Sequence, residues 1–521
     1  MASHPRVLVL ELLTEGAVYG WYARRVKIPN YAGVMAQSVA AWCEDLGAEV
    51  AYRTFTGIES PDTLLQGDWN VAFLSSSTRS AWVAYSLAHI LRRCGTVVAL
   101  GGPQALAYPA DAARFCDYVL ALTDKDLVRR VLEERNRSRG AEGLRLSAVR
   151  HPRELPGLRR RARFVRSALA KAVFAKTVPV LASLGCPYPC DFCSDAETPL
   201  QSFDPQQVTD DVRAAIELFP GALVFWHDPN FGISFDTVLD ALERGVAGRR
   251  CRFGAQSSLS VLTNERMRRL GRAGFVAMIP GIESWSGYEH KQGNIPSSGR
   301  DRMEATAARI NELAGFIPYV QVNLVLGLQA DADHAALELT KEFVARAPAA
   351  WPNANLFTAY GLASPLSRQL AKEGRILPVP FPLVDQKTCP TARLAGVDVV
   401  RVFKDAVELM EAASCLPIMA RRLAATTGLK ERFIHLFRAY GGEQRARLAW
   451  YREAGRLLCQ DRSFRAFFEG ETERLPDALH RLVLRRLGRW FELLPQELSE
   501  ELRTGRAYST TGVSNTPWEI Q

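Results

Sequence analysis

Twice along this chain, short apolar runs of strand length alternate with amphipathic runs of helix length, and that repetition constrains the fold more than any other feature. The first series places strands at 7–10, 49–54, 71–74, 97–100 and 118–122, with helices at 36–46, 81–93 and 125–133 among them. Such alternation predicts a parallel sheet with helices on its faces, a doubly wound Rossmann-like domain over residues 1–135. A second series predicts strands at 178–182, 222–226, 252–256, 276–280, 319–326 and 355–358, with helices at 206–218, 237–245, 264–273, 300–313 and 334–345. Six strands with intervening helices indicate a full or partial βα barrel, assigned here to residues 176–385.

Between the two, residues 136–175 lose the apolar pattern and fill with Arg, Gly, Ser and Pro, which predicts a linker. Residues 386–521 read as a helical domain, with apolar residues at helical spacing in 402–412, 433–440, 445–458 and 478–494. Its many aromatics, among them Trp450, Tyr451, Phe464, Phe467, Phe468, Trp490 and Phe491, are expected to be core, and the domain is placed to close an open side of the barrel. The polar stretch 504–521 is expected to be irregular. The fold class is therefore α/β with an added helical domain, about three domains for 521 residues.

Lys and Arg number 65 against 56 Asp and Glu, a net charge of +9 spread along the chain with one dense run, Arg159-Arg160-Arg161. That balance gives no reason to expect a nucleic-acid partner. No apolar stretch reaches membrane-spanning length, and the run from Val7 to Leu13 is broken by Glu11 and lacks a cleavage pattern, so a cytoplasmic protein without membrane contact is expected. Ten cysteines are too sparse for a disulfide scaffold; seven stand alone and three, Cys186, Cys190 and Cys193, fall within eight residues.

The segment Gly185-Cys186-Pro187-Tyr188-Pro189-Cys190-Asp191-Phe192-Cys193-Ser194 follows the first strand of the second series directly. Three thiolates on one loop can bind three irons of a cubane and leave the fourth iron open, and an open metal position is a reactive one. A zinc site would need a fourth ligand, and Cys251, His227 and His151 stand isolated. In the first series, Ser75-Ser76-Ser77-Thr78 and Gly101-Gly102-Pro103-Gln104 are small, polar loops at the carboxyl ends of two strands, where open α/β sheets hold ligands. Asn323 lies inside an apolar strand and is either a satisfied core amide or a ligand contact. His227 reads as a packing residue, while Tyr19, Trp21 and Tyr22 form an aromatic loop suited to packing or to covering a flat macrocycle.

The C-x3-C-x2-C spacing with Phe192 before the last cysteine resembles the signature of the radical S-adenosylmethionine (SAM) superfamily. The chain is similar, over most of residues 5–382, to its cobalamin-binding branch. The Ser75–Thr78 and Gly101–Pro103 loops, Tyr108-Pro109, the Cys116–Val119 strand, Asp228-Pro229-Asn230-Phe231, Gly281-Ile282-Glu283-Ser284 with Lys291 after it, and Ala363-Ser364-Pro365-Leu366 carry that likeness. The chain departs from the branch where Gln104 replaces a histidine, where Thr123-Asp124-Lys125-Asp126 replaces Gly-Glu-Gly-Glu, and at Gly327-Leu328-Gln329. It has no D-x-H-x-x-G, so no protein histidine is expected on cobalt.

The resemblance implies a [4Fe–4S] cluster on Cys186, Cys190 and Cys193 and SAM contacts from Phe192, Asp228, Glu283 and Asn323. It also implies cobalamin contacts from Ser75, Ser76, Ser77, Thr78, Gly101, Gly102, Pro103 and Gln104. It implies a methyltransferase that moves a methyl group from SAM through methylcobalamin to a carbon of a small molecule or peptide, aromatic or indole carbons included, in specialised metabolism. A flavodoxin- or ferredoxin-type electron donor and a monomeric enzyme go with it. The rival readings are an oxidative cyclase or ring-rearranging enzyme with the same cofactors, and a non-catalytic redox sensor.

Overall fold

A computed structural model describes residues 4–13, 23–136, 140, 142–285, 299–328, 334–393, 395–504 and 518–520. Tyr19, Trp21, Tyr22, Lys291 and Gln329 lie outside the described residues.

The first alternation forms strands β1 (Arg6–Leu12), β2 (Glu49–Phe55), β3 (Val71–Ser76), β4 (Val97–Gly101), β5 (Tyr118–Leu120) and β6 (Leu144–Ser147). They lie in the order β2-β1-β3-β4-β5-β6, every pair parallel. Because β1 sits between β2 and β3, the chain winds outward in both directions from the β1/β3 junction, the position at which doubly wound sheets bind ligands. Val7, Val9 and Phe73 face one apolar layer with the helix Val34–Asp45, while Leu8, Leu10 and Leu74 face another with the helix Ala81–Arg93. A sheet buried on both faces needs near-continuous apolar strands, which is what these are.

The second alternation gives β7 (Thr177–Val180), a two-stranded antiparallel ribbon of β8 (Ser183–Leu184) and β9 (Gln201–Ser202), then β10 (Leu223–Trp226), β11 (Arg252–Ser258), β12 (Phe275–Glu283), β13 (Tyr319–Leu326) and β14 (Ala350–Leu356). Six of these form one parallel sheet in chain order, β7-β10-β11-β12-β13-β14. The two edge strands β7 and β14 do not pair, so the barrel is open. Val224, Trp226, Met278, Val320 and Val322 point to the helix-covered face, whereas Gln256, Gln321, Asn323 and Asn353 line the other. The last strand lies earlier than 355–358, because Pro352 and the small residues around it hide an edge strand that parallel pairing with β13 defines.

Two sequence expectations are corrected. The expected linker 136–175 contains β6, which extends the first sheet, and a helix, Leu158–Leu169, packed between the helices Val34–Asp45 and Pro205–Leu218. Its arginines hid a buried stripe: Leu158, Ala162, Val165 and Leu169 are apolar at helical spacing, and Arg161 is buried against Gln37 Oε1 at 2.8 Å. In the tail expected to be irregular, β15 (Glu519–Ile520) pairs in parallel with β6 at the sheet edge.

The C-terminal part is helical, from Val399–Ser414 to Gln496–Thr504. Phe464, Phe467, Leu479 and Trp490 share one apolar cluster with Leu8 and Leu100 of the first sheet and Leu377 and Phe381 after the barrel. Phe55 meets Trp490 edge-on at 5.3 Å. These helices thus bind the first sheet as well as the barrel. No described helix is long and apolar enough to cross a membrane.

Candidate functional site

The cysteine loop leaves the carboxyl end of β7 and is pinned on two sides. On the barrel side, Asp228, after β10, accepts from the Ala182 amide at 3.1 Å and from the Ser183 hydroxyl at 2.7 Å, just ahead of Cys186. Asn230 reaches β11 through the Ser258 amide at 2.8 Å, and Ser258 and Tyr188 both bond the hydroxyl of Ser260, at 2.9 and 2.8 Å. On the opposite side, the Leu366 amide donates to Asp191 O at 2.9 Å and Arg368 pairs with Glu197 at 2.6 Å. The loop therefore bridges the open seam of the barrel. Cys190 is buried, while Cys186 and Cys193 are partly accessible.

Among the described residues no three His, Cys, Asp or Glu side chains converge on a point that would hold a single metal ion. A cubane takes each thiolate on a different iron, so its ligands ring the cluster and need not converge. The three thiols on one loop beside an accessible rim fit that group.

Asp228 is buried, and desolvation raises its carboxyl to about 6 against the opposing hydrogen bonds of Ser183 and Ala182. Its carboxylate is spent on the backbone that aims the cysteine loop. Glu283 ends β12 with φ +63°, a left-handed conformation costly for a residue with a side chain. Its carboxylate folds back over Gly281, which pairs with Asn323 on β13. Asn323 Oδ1 accepts from Gln321 at 3.1 Å and Asn353 at 3.0 Å, so its carbonyl is satisfied. Phe192 packs with Val325, Leu328 and Phe357 at the ends of β13 and β14. Glu283 and Asn323 thus lie on the adjacent strands β12 and β13, Phe192 packs at the ends of β13 and β14, and Asp228 follows β10, two strands from β12.

On the first sheet, Ser75 pairs with Gly101, so the two polar loops lie side by side at the carboxyl ends of β3 and β4. Gly102 has φ +88°, and a Cβ there would stand 3.0 Å from Ser76 O. Ser76 and Ser77 bond Ser80, at 3.0 and 3.1 Å, while Thr78 Oγ1 is buried with no hydrogen-bond partner among the described residues. A bare-backbone cradle with an orphaned hydroxyl fits a polar-edged ligand. Gln104 turns inward: it is fully buried and donates to the Tyr85 hydroxyl at 2.8 Å, which donates to Asp111 at 2.6 Å. Its side chain is thereby committed to the core.

Sequence reading singled out Ala363–Leu366 by its likeness but not its part in joining the two half-sites. Leu362 donates its amide to Ala107 O at 2.8 Å, and Gly361, at φ +47°, allows this approach, since a Cβ there would fall 2.1 Å from Ala107 O. Four residues on, Leu366 holds the cysteine loop. One strap, 359–368, therefore anchors both the loop that follows Gly101 and the loop that carries the cysteines. A Gly at a strand-to-helix junction, ahead of the Ser364 cap and Pro365 of the helix Pro365–Lys372, was the available signal.

No established protein-family profile matches the chain. It is 23% identical over 320 residues to the bacteriochlorophyllide d C-12(1)-methyltransferase of Chlorobaculum tepidum, covering 59% of this chain and 68% of that one. Its fold is similar to that of the cobalamin-dependent SAM radical enzyme OxsB, with a TM-score of 0.56 at 12% identity over 97% of this chain and 82% of that chain. It is also similar to TsrM, a radical SAM methyltransferase from Kitasatospora setae with cobalamin and a [4Fe–4S] cluster bound, with a TM-score of 0.50 at 14% identity over 71% of this chain and 75% of that chain.

Two predictions follow from the geometry. Because burial raises Asp228, its contribution to stability is present below its ordinary value of 3.8 and lost as pH rises through about 6. The melting temperature of Asp228→Asn should therefore gain on that of the natural protein between those limits, and a pH-independent difference would contradict the assignment. Gly361→Ala should speed amide exchange both at 101–108 and in the cysteine loop at 186–197, measured by hydrogen–deuterium exchange. Faster exchange in only one would show that the strap does not serve both. The chain has the fold of the cobalamin-dependent radical SAM enzymes.

Proposed function

We propose that this protein is a cobalamin-dependent radical SAM methyltransferase acting on a carbon of a small molecule or peptide. The observation that carries the reading is the shared strap, which links a three-cysteine loop at a barrel mouth to a small-residue, polar cradle on a doubly wound sheet. When bound, the cluster on Cys186, Cys190 and Cys193 supplies the electron that cleaves SAM, and cobalamin in the cradle of Ser75–Thr78 and Gly101–Pro103 carries the methyl group. The chain's residues position these groups. Asp228, Asn230 and Tyr188 fix the cysteine loop, Gly281 leaves room for the Glu283 carboxylate, and Glu283, Asn323 and Phe192 offer an acceptor, an amide and an aromatic face to SAM. Gly102 brings bare backbone to the corrinoid edge.

The methyl-transferring relatives support this reading over a cyclase, and an aromatic substrate in specialised metabolism and a flavodoxin-type donor belong to the same proposal. The test is isotopic. Anaerobically loaded, reduced protein given SAM labelled in its methyl group should release S-adenosylhomocysteine before any substrate is added, and pass the label into product when one is. Deoxyadenosine release with no S-adenosylhomocysteine would instead mark the oxidative cyclase or ring-rearranging reading, and a loaded cluster with no SAM turnover at all the redox sensor.

A further inference from the structure

Below the barrel mouth, on the side opened by the unpaired edges of β7 and β14, five charged side chains from four segments crowd together. Glu443, at the start of the helix Gly442–Gln460, bonds Lys27 at 3.1 Å and Lys387 at 3.2 Å. Lys27 comes from the segment Ala23–Lys27, which continues to Asn30; the Asn30 side chain accepts from the Thr177 amide at the start of β7 at 2.6 Å. Lys387 follows the short helical turn Phe381–Leu383 and is brought beside the end of β14 by Gln386, which is held at φ +63° and whose carbonyl accepts from the Leu356 amide at 2.7 Å. Arg447 reaches Ala354 O of β14 at 3.4 Å, and Arg438 reaches Asn353 Oδ1 at 3.3 Å from the helix Leu429–Tyr440. Four cations thus face one carboxylate.

The group is enclosed yet still open to solvent. Lys27 and Lys387 keep 28% side-chain exposure and Glu443 41%, in a place where burial and the neighbouring cations, Lys27 foremost among them, hold the Lys387 ammonium down to about 8. Burial opposes ionisation of Glu443, but Lys387 and Lys27 outweigh it and keep the carboxyl near 2. Arg447 Nε is buried and has no hydrogen-bond partner among the described residues. Arg438 and Arg447 also lie over the rings of Trp351 and Tyr451, at 5.5 and 6.0 Å, but one internal carboxylate leaves the group with a net positive charge that an oxyanion would offset. From here a polar row, Asn353, Asn323 and Gln321, runs along the uncovered face of β13 and β14 to the pairing with Gly281, beneath Glu283.

We propose that Lys27, Lys387, Arg438 and Arg447 form a binding site for an anionic group of the substrate, a carboxylate or a phosphate, which enters past Glu283 and is held at the barrel's open seam. This names a substrate class for the reaction proposed above and rests on that reading for its purpose, but the anion site itself is testable without turnover. Bidentate-capable Arg447 and Arg438 suit a planar or tetrahedral oxyanion, and the two lysines add point charge.

The full-length protein is titrated by calorimetry at pH 7 with inorganic phosphate and, separately, with propionate, using propionamide and chloride at matched ionic strength as controls. Saturable binding of one or both oxyanions is expected, with the tighter of the two identifying the substrate group. Lys387→Gln with Arg447→Gln should weaken it at least about tenfold. Glu443→Gln should tighten it several-fold by freeing the lysines, an outcome that a purely structural ion pair would not give and that keeps the test open if the double variant folds poorly. No binding beyond chloride, or equal binding by Glu443→Gln and the natural protein, would overturn the site. Phosphate binding by protein that fails the isotopic test would retain the site and discard the methyltransferase reading.

Discussion

A single backbone contact organises the molecule: the amide of Leu362 on the carbonyl of Ala107, possible only because Gly361 has no side chain to fill the gap. On one side of it stands the helix Pro103–Ala107, begun at Gly102, and on the other the helix Pro365–Lys372, whose first turn receives the cysteine loop. Two sheets that are each open at their carboxyl edges are thereby held mouth to mouth. Reaction between groups bound on separate sheets depends on fixed approach, and a short turn anchored at Ala107 and running straight into the helix Pro365–Lys372 restricts it.

The rest of the chain stabilises that apposition. Burying Phe464, Phe467, Leu479 and Trp490 with strands of the first sheet and with Leu377 and Phe381 makes one apolar cluster of what the chain order separates. Arg486 extends this with a buried pair to Asp385 at 2.7 Å, next to the turn that presents Lys387. Burial of Asp385 would raise its carboxyl, but Arg486 keeps it below the ordinary range, so the pair is ionised and would be costly to break.

Much of this was legible in the sequence, and the reasons are local. Strands such as Leu8–Leu10 and Val97–Leu100 are apolar throughout because both faces are covered, and the cysteine spacing is contiguous, so neither needs tertiary information. What escaped reading depends on contacts distant in sequence. The arginine-rich helix Leu158–Leu169 looks like a linker until Gln37 is known to receive Arg161, and the part Asp228 plays in holding Ala182 and Ser183 ahead of the cysteines is set by residues some forty-five positions away. Gln104 likewise departs from the expected histidine by joining Tyr85 in the core. The cationic set at the seam is spread from Lys27 to Arg447, a separation at which no spacing rule operates.

Hydrogen–deuterium exchange with and without hydroxocobalamin tests the central claim, that one strap couples both half-sites. The account predicts protection at 75–78 and 101–108 that continues through 359–368 into the cysteine loop at 186–197. Protection confined to the first sheet, with 359–368 and the cysteine loop unchanged, would contradict it.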